Sequence, residues 1–187
     1  MTTITRTWLA MAAIGAGLIH VALGAGAPLV LAVPLVAIAA AEVLWGVLAV
    51  LRDRVYFPTV ALFGALAPIG LWALLITAAS VAGAPELLAP MPFLAMGSAT
   101  LFDLFIAGVL AVRRRRAARV TGSSVPAREP APAAEAAPAE PSVGRYLIGV
   151  LAGACVVSAL TTPALANTHA GQYAVPHGTL HGSHSGH

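Results

Sequence analysis

Apolar residues run through this chain in five long blocks rather than alternating with polar ones. Each block comes close to the ~20 residues a helix needs to cross a hydrocarbon core of about 30 Å. The blocks extend from about Trp8 to Gly26, Leu29 to Leu51, Tyr56 to Val81, Met91 to Val112 and Tyr146 to Leu165. A turn around Gly24, Gly26 and Pro28 joins the first two, and a short segment with Gly83, Pro85, Glu86 and Pro90 joins the next two. The pattern therefore predicts two transmembrane hairpins. After them comes a basic run followed by alternating Ala, Pro and Glu, too polar and proline-broken to pack a core. The expected architecture is all-α, an integral membrane helical bundle. It has a four-helix unit over 1–112, a disordered cytoplasmic linker over 113–144, a fifth helix over 145–166 and a polar tail over 167–187.

Arginine placement orients the blocks, because cytoplasmic loops near span ends collect positive charge. Arg6 precedes the first block, Arg52 and Arg54 lie between the second and third, Arg113 to Arg116 and Arg119 follow the fourth, and Arg145 precedes the fifth. Only Arg128 lies away from a span end. The expectation is a multi-pass plasma-membrane protein with the N-terminus and linker in the cytoplasm and the C-terminus outside. Composition agrees: 59% of residues are hydrophobic and 9% charged, against roughly a quarter charged in soluble domains. The net charge of +3 does not call for a nucleic-acid partner, since the arginines already flank spans. The expected surroundings are lipid, with a membrane-protein partner or a second copy of the chain as further candidates. The single cysteine, Cys155, allows no intramolecular disulfide and reads as helix packing. The pentapeptide Gly46-Val47-Leu48-Ala49-Val50 recurs as Gly108-Val109-Leu110-Ala111-Val112, which hints at a duplicated hairpin.

Three ionisable residues lie within the blocks: His20, Glu42 and Asp103. Such residues are costly in hydrocarbon and face protein or water. At a rise of 1.5 Å per residue, Glu42 and Asp103 each lie about 15 Å from the arginines ending their helices, and His20 about 21 Å from Arg6. The acids share one depth, with His20 nearer the outer face, so the three are a candidate polar cluster. Such a cluster could bind a divalent cation or relay a proton. The competing reading is structural, each group hydrogen-bonding to a neighbouring helix. Trp45 and Trp72 sit within spans and read as packing, as do Gly15, Gly17, Gly64, Gly70 and Gly97, which suit close helix approach.

Five of the six histidines fall in the final 19 residues: His169, His177, His181, His184 and His187. Small residues separate them, and neutral imidazoles on a flexible chain suit Cu(II), Ni(II) or Zn(II). A copper or zinc ion is the expected cofactor. The alternative is a soluble, low-complexity tail without a ligand. Arg145, the apolar stretch after it and Ala164-Leu165-Ala166 together resemble a signal peptide with its cleavage site. Cutting there would leave Asn167-Thr168-His169 as a new terminus with an amino-terminal copper-binding pattern. An uncut helix ending at Pro163 is the competing expectation.

No phosphate loop, HExxH or Gly-x-Ser-x-Gly pattern occurs, so no enzyme is expected. A haem bundle would need histidines on facing helices, and only His20 lies within the four-helix unit. In layout the chain resembles the small multi-pass membrane proteins of high-GC actinobacteria that have Ala-rich spans and His-rich tails. That resemblance implies a membrane location and assigns no residue a role. The leading functional expectation is metal binding by the exposed tail for handling, sensing or delivery. A structural or accessory subunit of a membrane complex is the alternative, and a proton- or cation-coupled carrier using the intramembrane acids is the third.

Overall fold

The computed structural model describes residues 2–122 and 143–173. Five helices, α1 (Thr3–Gly26), α2 (Leu29–Leu51), α3 (Pro58–Ala82), α4 (Phe93–Gly122) and α5 (Val143–Ala166), are each long and apolar enough to cross a membrane. Short 3-10 turns occupy Pro85–Leu88 and Ala170–Tyr173, and no strand occurs among the described residues.

Local chemistry sets the helix ends. The Thr2 hydroxyl accepts from the Thr5 N–H at 3.3 Å, an N-cap that starts α1 five residues before the apolar block. Gly83 ends α3 at φ 62°, in the left-handed region where only glycine avoids steric cost, and its N–H bonds the Ala79 carbonyl. α4 continues ten residues past Val112, through Arg113 to Arg116, to Gly122. Arginine and alanine are among the best helix formers, so the helix outlasts the apolar block. The first ten residues of the expected linker are thus helical, and 123–142 lie outside the described residues. Pro163 does not end α5, which runs on to Ala166.

The buried helices are α1 and α4. α1 packs against α2, α4 and α5, and α4 against α1, α3 and α5, whereas α2 and α3 barely touch. With all sides of each helix apolar, backbone approach at small residues decides which helices become neighbours. A Cβ added at Gly17 would lie 2.6 Å from Val43 Cγ2 and 2.9 Å from the Ala39 carbonyl, and one at Gly46 2.9 Å from the Ala10 carbonyl. These two glycines bring the α1 and α2 backbones together. Gly15 faces Phe102 of α4 and Val157 of α5 at 3.1 and 3.2 Å. By contrast, Gly64, Gly70 and Gly97 face open space within 4 Å, so they do not serve helix approach.

α5 belongs to the same bundle. Gly149 and Gly153 form a small-xxx-small pair against α1: Gly149 faces Ile4, and a Cβ on Gly153 would lie 2.5 Å from Met11 and 3.1 Å from the Trp8 indole. The Trp8 Nε1–H also donates to the Gly149 carbonyl at 2.9 Å. Gly153→Leu is expected to lift α5 from α1 at a cost of about 1–3 kcal/mol, the usual penalty of overpacking. Gly97→Leu should stay within ~0.5 kcal/mol, as surface changes do. Denaturant unfolding of both variants in detergent checks the contrast.

The described arginines gather at one end of the bundle. Arg6 pairs with the Asp53 carboxylate and donates to the Asp53 carbonyl, tying the start of α1 to the α2–α3 loop. α5 begins beside the start of α1, and α4 runs antiparallel to α1, past Gly15 and then Trp8. At the opposite end His169 packs on Gly26. The repeated pentapeptides do unlike work: Gly46 is buried against α1 while Gly108 faces open space, and Leu110 is buried while Leu48 is only half-buried.

Candidate metal centre

On the antiparallel helices α1 and α2, His20 lies one turn from Gly17 and Glu42 one turn from Ala39, on either side of the contact of Gly17 with Ala39. The close approach of α1 and α2 delivers these side chains to each other, and His20 Nδ1 lies 2.8 Å from Glu42 Oε2 in a buried hydrogen bond. Asp103 reaches the same point from α4. One potential ligand atom from each of the three residues lies within 4.8 Å of the others. The sequence separations are large, so only the packing of α1 between α2 and α4 assembles the group.

His20 and Asp103 are 0% exposed and Glu42 is 9% exposed. His20 Nε2, Glu42 Oε1 and both Asp103 oxygens have no hydrogen-bond partner. Buried carboxylates without partners are unfavourable by several kcal/mol unless neutralised or bonded. These four atoms leave the buried group with unmet bonding capacity, which either protons or a cation could satisfy. A metal bonded at ~2.0–2.2 Å to nitrogen and oxygen ligands holds them about 3.3–3.6 Å apart. The 2.8 Å between His20 Nδ1 and Glu42 Oε2 and the 4.8 Å limit on all three ligand atoms bracket that distance.

A cleft of about 220 Å³ opens beside the centre, where α2 and α3 part. Glu42 and Asp103 line it, with Trp45 of α2 and Val60, Gly64 and Ala67 of α3. The Trp45 indole, read from sequence as simple packing, is fixed by donating its N–H to the Tyr56 carbonyl at 2.9 Å. Asp53, the one acid in the basic α2–α3 loop between Arg52 and Arg54, is the partner of Arg6, a pairing that the isolated acid charge signals in the sequence.

The tail enters this picture only at its start. His169 stacks edge-on to Tyr173 with ring centroids 5.3 Å apart and packs on Gly26. It thus packs against the end of the bundle. The Ala166–Asn167 bond lies in a hydrogen-bonded turn: the Asn167 N–H reaches the Pro163 carbonyl, and the Thr168 hydroxyl donates to the Leu165 carbonyl at 2.7 Å. A peptidase acting after Ala166 would have to unwind that turn and pull out the buried Thr168. His177, His181, His184 and His187 lie outside the described residues. No family model matches the chain, and neither a curated protein nor a solved structure is found to be similar to it.

Proposed function

We propose that this is a multi-pass plasma-membrane protein that binds a divalent transition metal, zinc or copper, within the membrane at His20, Glu42 and Asp103. The carrying observation is the convergence of three ligand atoms within 4.8 Å, with orphaned oxygens on a carboxylate that is wholly buried. Charge balance favours the divalent ion. A neutral imidazole and two carboxylates sum to −2, which one M²⁺ cancels, and burial in low dielectric rewards neutrality. The nitrogen and oxygen ligand set suits Zn(II), with Cu(II) binding more tightly, as its place in the divalent series requires.

In this reading the arginine-bearing end faces the cytoplasm, and the tail histidines beyond residue 173 gather metal outside for the buried centre. Helices α1, α2 and α4 of a single chain supply the three ligands, so a second copy is not needed to complete the site. The experiment is zinc titration of the lipid-nanodisc protein, full length and lacking residues 174–187. This truncation point keeps Thr168 and His169, which pack on the bundle. The expected result is one tight site in both forms and weaker additional sites in the full-length chain alone. Loss of all binding on truncation would overturn the intramembrane site.

A further inference from the structure

The cleft is poorly explained by a metal ion. An ion needs far less than 220 Å³, a volume several times the ~30 Å³ share of one water. Apart from the two acids, the walls are apolar, so they offer nothing to an ion's hydration shell. Ile38, Val60 and Ile106 stand on three different helices, with Trp45 and Phe57 adding aromatic faces. Three features together describe a different ligand.

The first is the placement of charge. Asp103 is wholly buried, both its oxygens lack partners, and it lines the cleft with Glu42. The second is the set of rings. The Trp45 indole is held in place by its bond to Tyr56, which gives an apolar body a fixed aromatic surface to pack against. The third is access. The cleft lies between α2 and α3, the two helices that scarcely contact each other and whose other surfaces are largely exposed and apolar. In a bilayer those surfaces would face lipid, a medium that concentrates amphiphilic molecules and excludes hydrated ions.

We propose that the α2–α3 cleft binds a small amphiphilic organic cation, an aromatic or branched-alkyl ammonium, with its charge at Asp103 and Glu42 and its apolar body between Trp45 and α3. The volume falls below the ~300–1,000 Å³ of sites for drug-sized ligands, which sets the size class at a single ring or short branched chain. The inference goes beyond the metal reading. It requires the carboxylates, not the metal, and since both ligands use the same two acids they exclude each other.

The test is calorimetric titration of the nanodisc protein with benzyltrimethylammonium and, separately, with its uncharged carbon isostere neopentylbenzene. Saturable binding of the cation is expected, with at least tenfold weaker binding of the neutral isostere. Asp103→Asn should weaken the cation at least tenfold, and saturating zinc should displace it. Gly64→Leu is the separating variant, because Gly64 lines the cleft and faces open space within 4 Å. A leucine there would take up part of the cleft while its Cβ meets none of the three ligands within 4 Å, so cation binding should fall at least tenfold while zinc binding persists. Persisting zinc binding also shows that the variant is folded. Equal binding of the two isosteres, or cation binding unaffected by both substitutions, overturns the inference. Zinc binding without cation binding removes this inference alone, whereas cation binding without zinc binding removes the metal reading and leaves the cleft ligand standing.

Discussion

Asp103→Ala is expected to lower zinc affinity at least ~100-fold while leaving the bundle as stable as before or more so. The size follows from ligand loss: removing even an outer-shell partner of a metal ligand costs about 10–100-fold, and Asp103 contributes a ligand directly. The stability sign follows from its surroundings. Both Asp103 oxygens are buried without partners, so in the metal-free protein the carboxyl group is a burden that alanine relieves. A residue placed for structure would behave in the opposite way, its removal lowering the unfolding midpoint. Competition titration against a chelator, paired with denaturant unfolding of the metal-free protein, reads both quantities. Unchanged zinc affinity, or loss of stability with affinity intact, would assign Asp103 a packing role. Glu42→Ala should also lose zinc but gain less stability, because Glu42 Oε2 already has the His20 imidazole as partner at 2.8 Å.

The second large effect is expected at a residue with no polar chemistry. Gly17→Leu places a Cβ 2.6 Å from Val43 Cγ2 and 2.9 Å from the Ala39 carbonyl. The carbonyl is part of the α2 backbone, so it yields only if the whole helix moves. Overpacking of this kind costs about 1–3 kcal/mol. The same movement parts His20 from Glu42 one turn away, so stability and zinc affinity should fall together, the latter by at least ~10-fold, since each 1.4 kcal/mol of lost preorganisation is a factor of ten. Gly70→Leu is the matched control, as nothing lies within 4 Å of that position, and it should alter neither property. Coincident loss in Gly17→Leu, absent in Gly70→Leu, would establish that the α1–α2 contact builds the centre. Retained zinc affinity in a destabilised Gly17→Leu protein would show that the ligands find each other without it.

The contrast between those two glycines marks the limit of what could be read from the chain. Five helices were legible because hydrocarbon permits almost no other backbone and fixes the length of apolar block required. The helix ends at Gly26, Leu51 and Ala166 were legible to within a residue or two for the same reason. The end of α4 was not, since arginine breaks a hydropathy pattern without breaking a helix. His20, Glu42 and Asp103 stood out because ionisable groups are so rare within spans, and counting residues from the flanking arginines set the two acids at one depth. Their meeting was not legible. These helices are apolar on every side, so no polar face indicates which neighbour each one meets.

The choice of neighbours was made by tertiary packing, at points sequence cannot rank. Gly17 and Gly46 meet the α2 and α1 backbones, while Gly64, Gly70 and Gly97, identical in type, meet nothing. The pair Gly149 and Gly153 carried a recognisable spacing, yet only the positions of Trp8 and Met11 show which helix it receives. The sequence by itself thus determined the five apolar, span-length helices among the described residues and the chemical groups held among them, because each follows from transfer free energies of single residues. Only the tertiary structure decided that three of those groups share one point beside an open cleft, because that depends on how closely particular backbones approach.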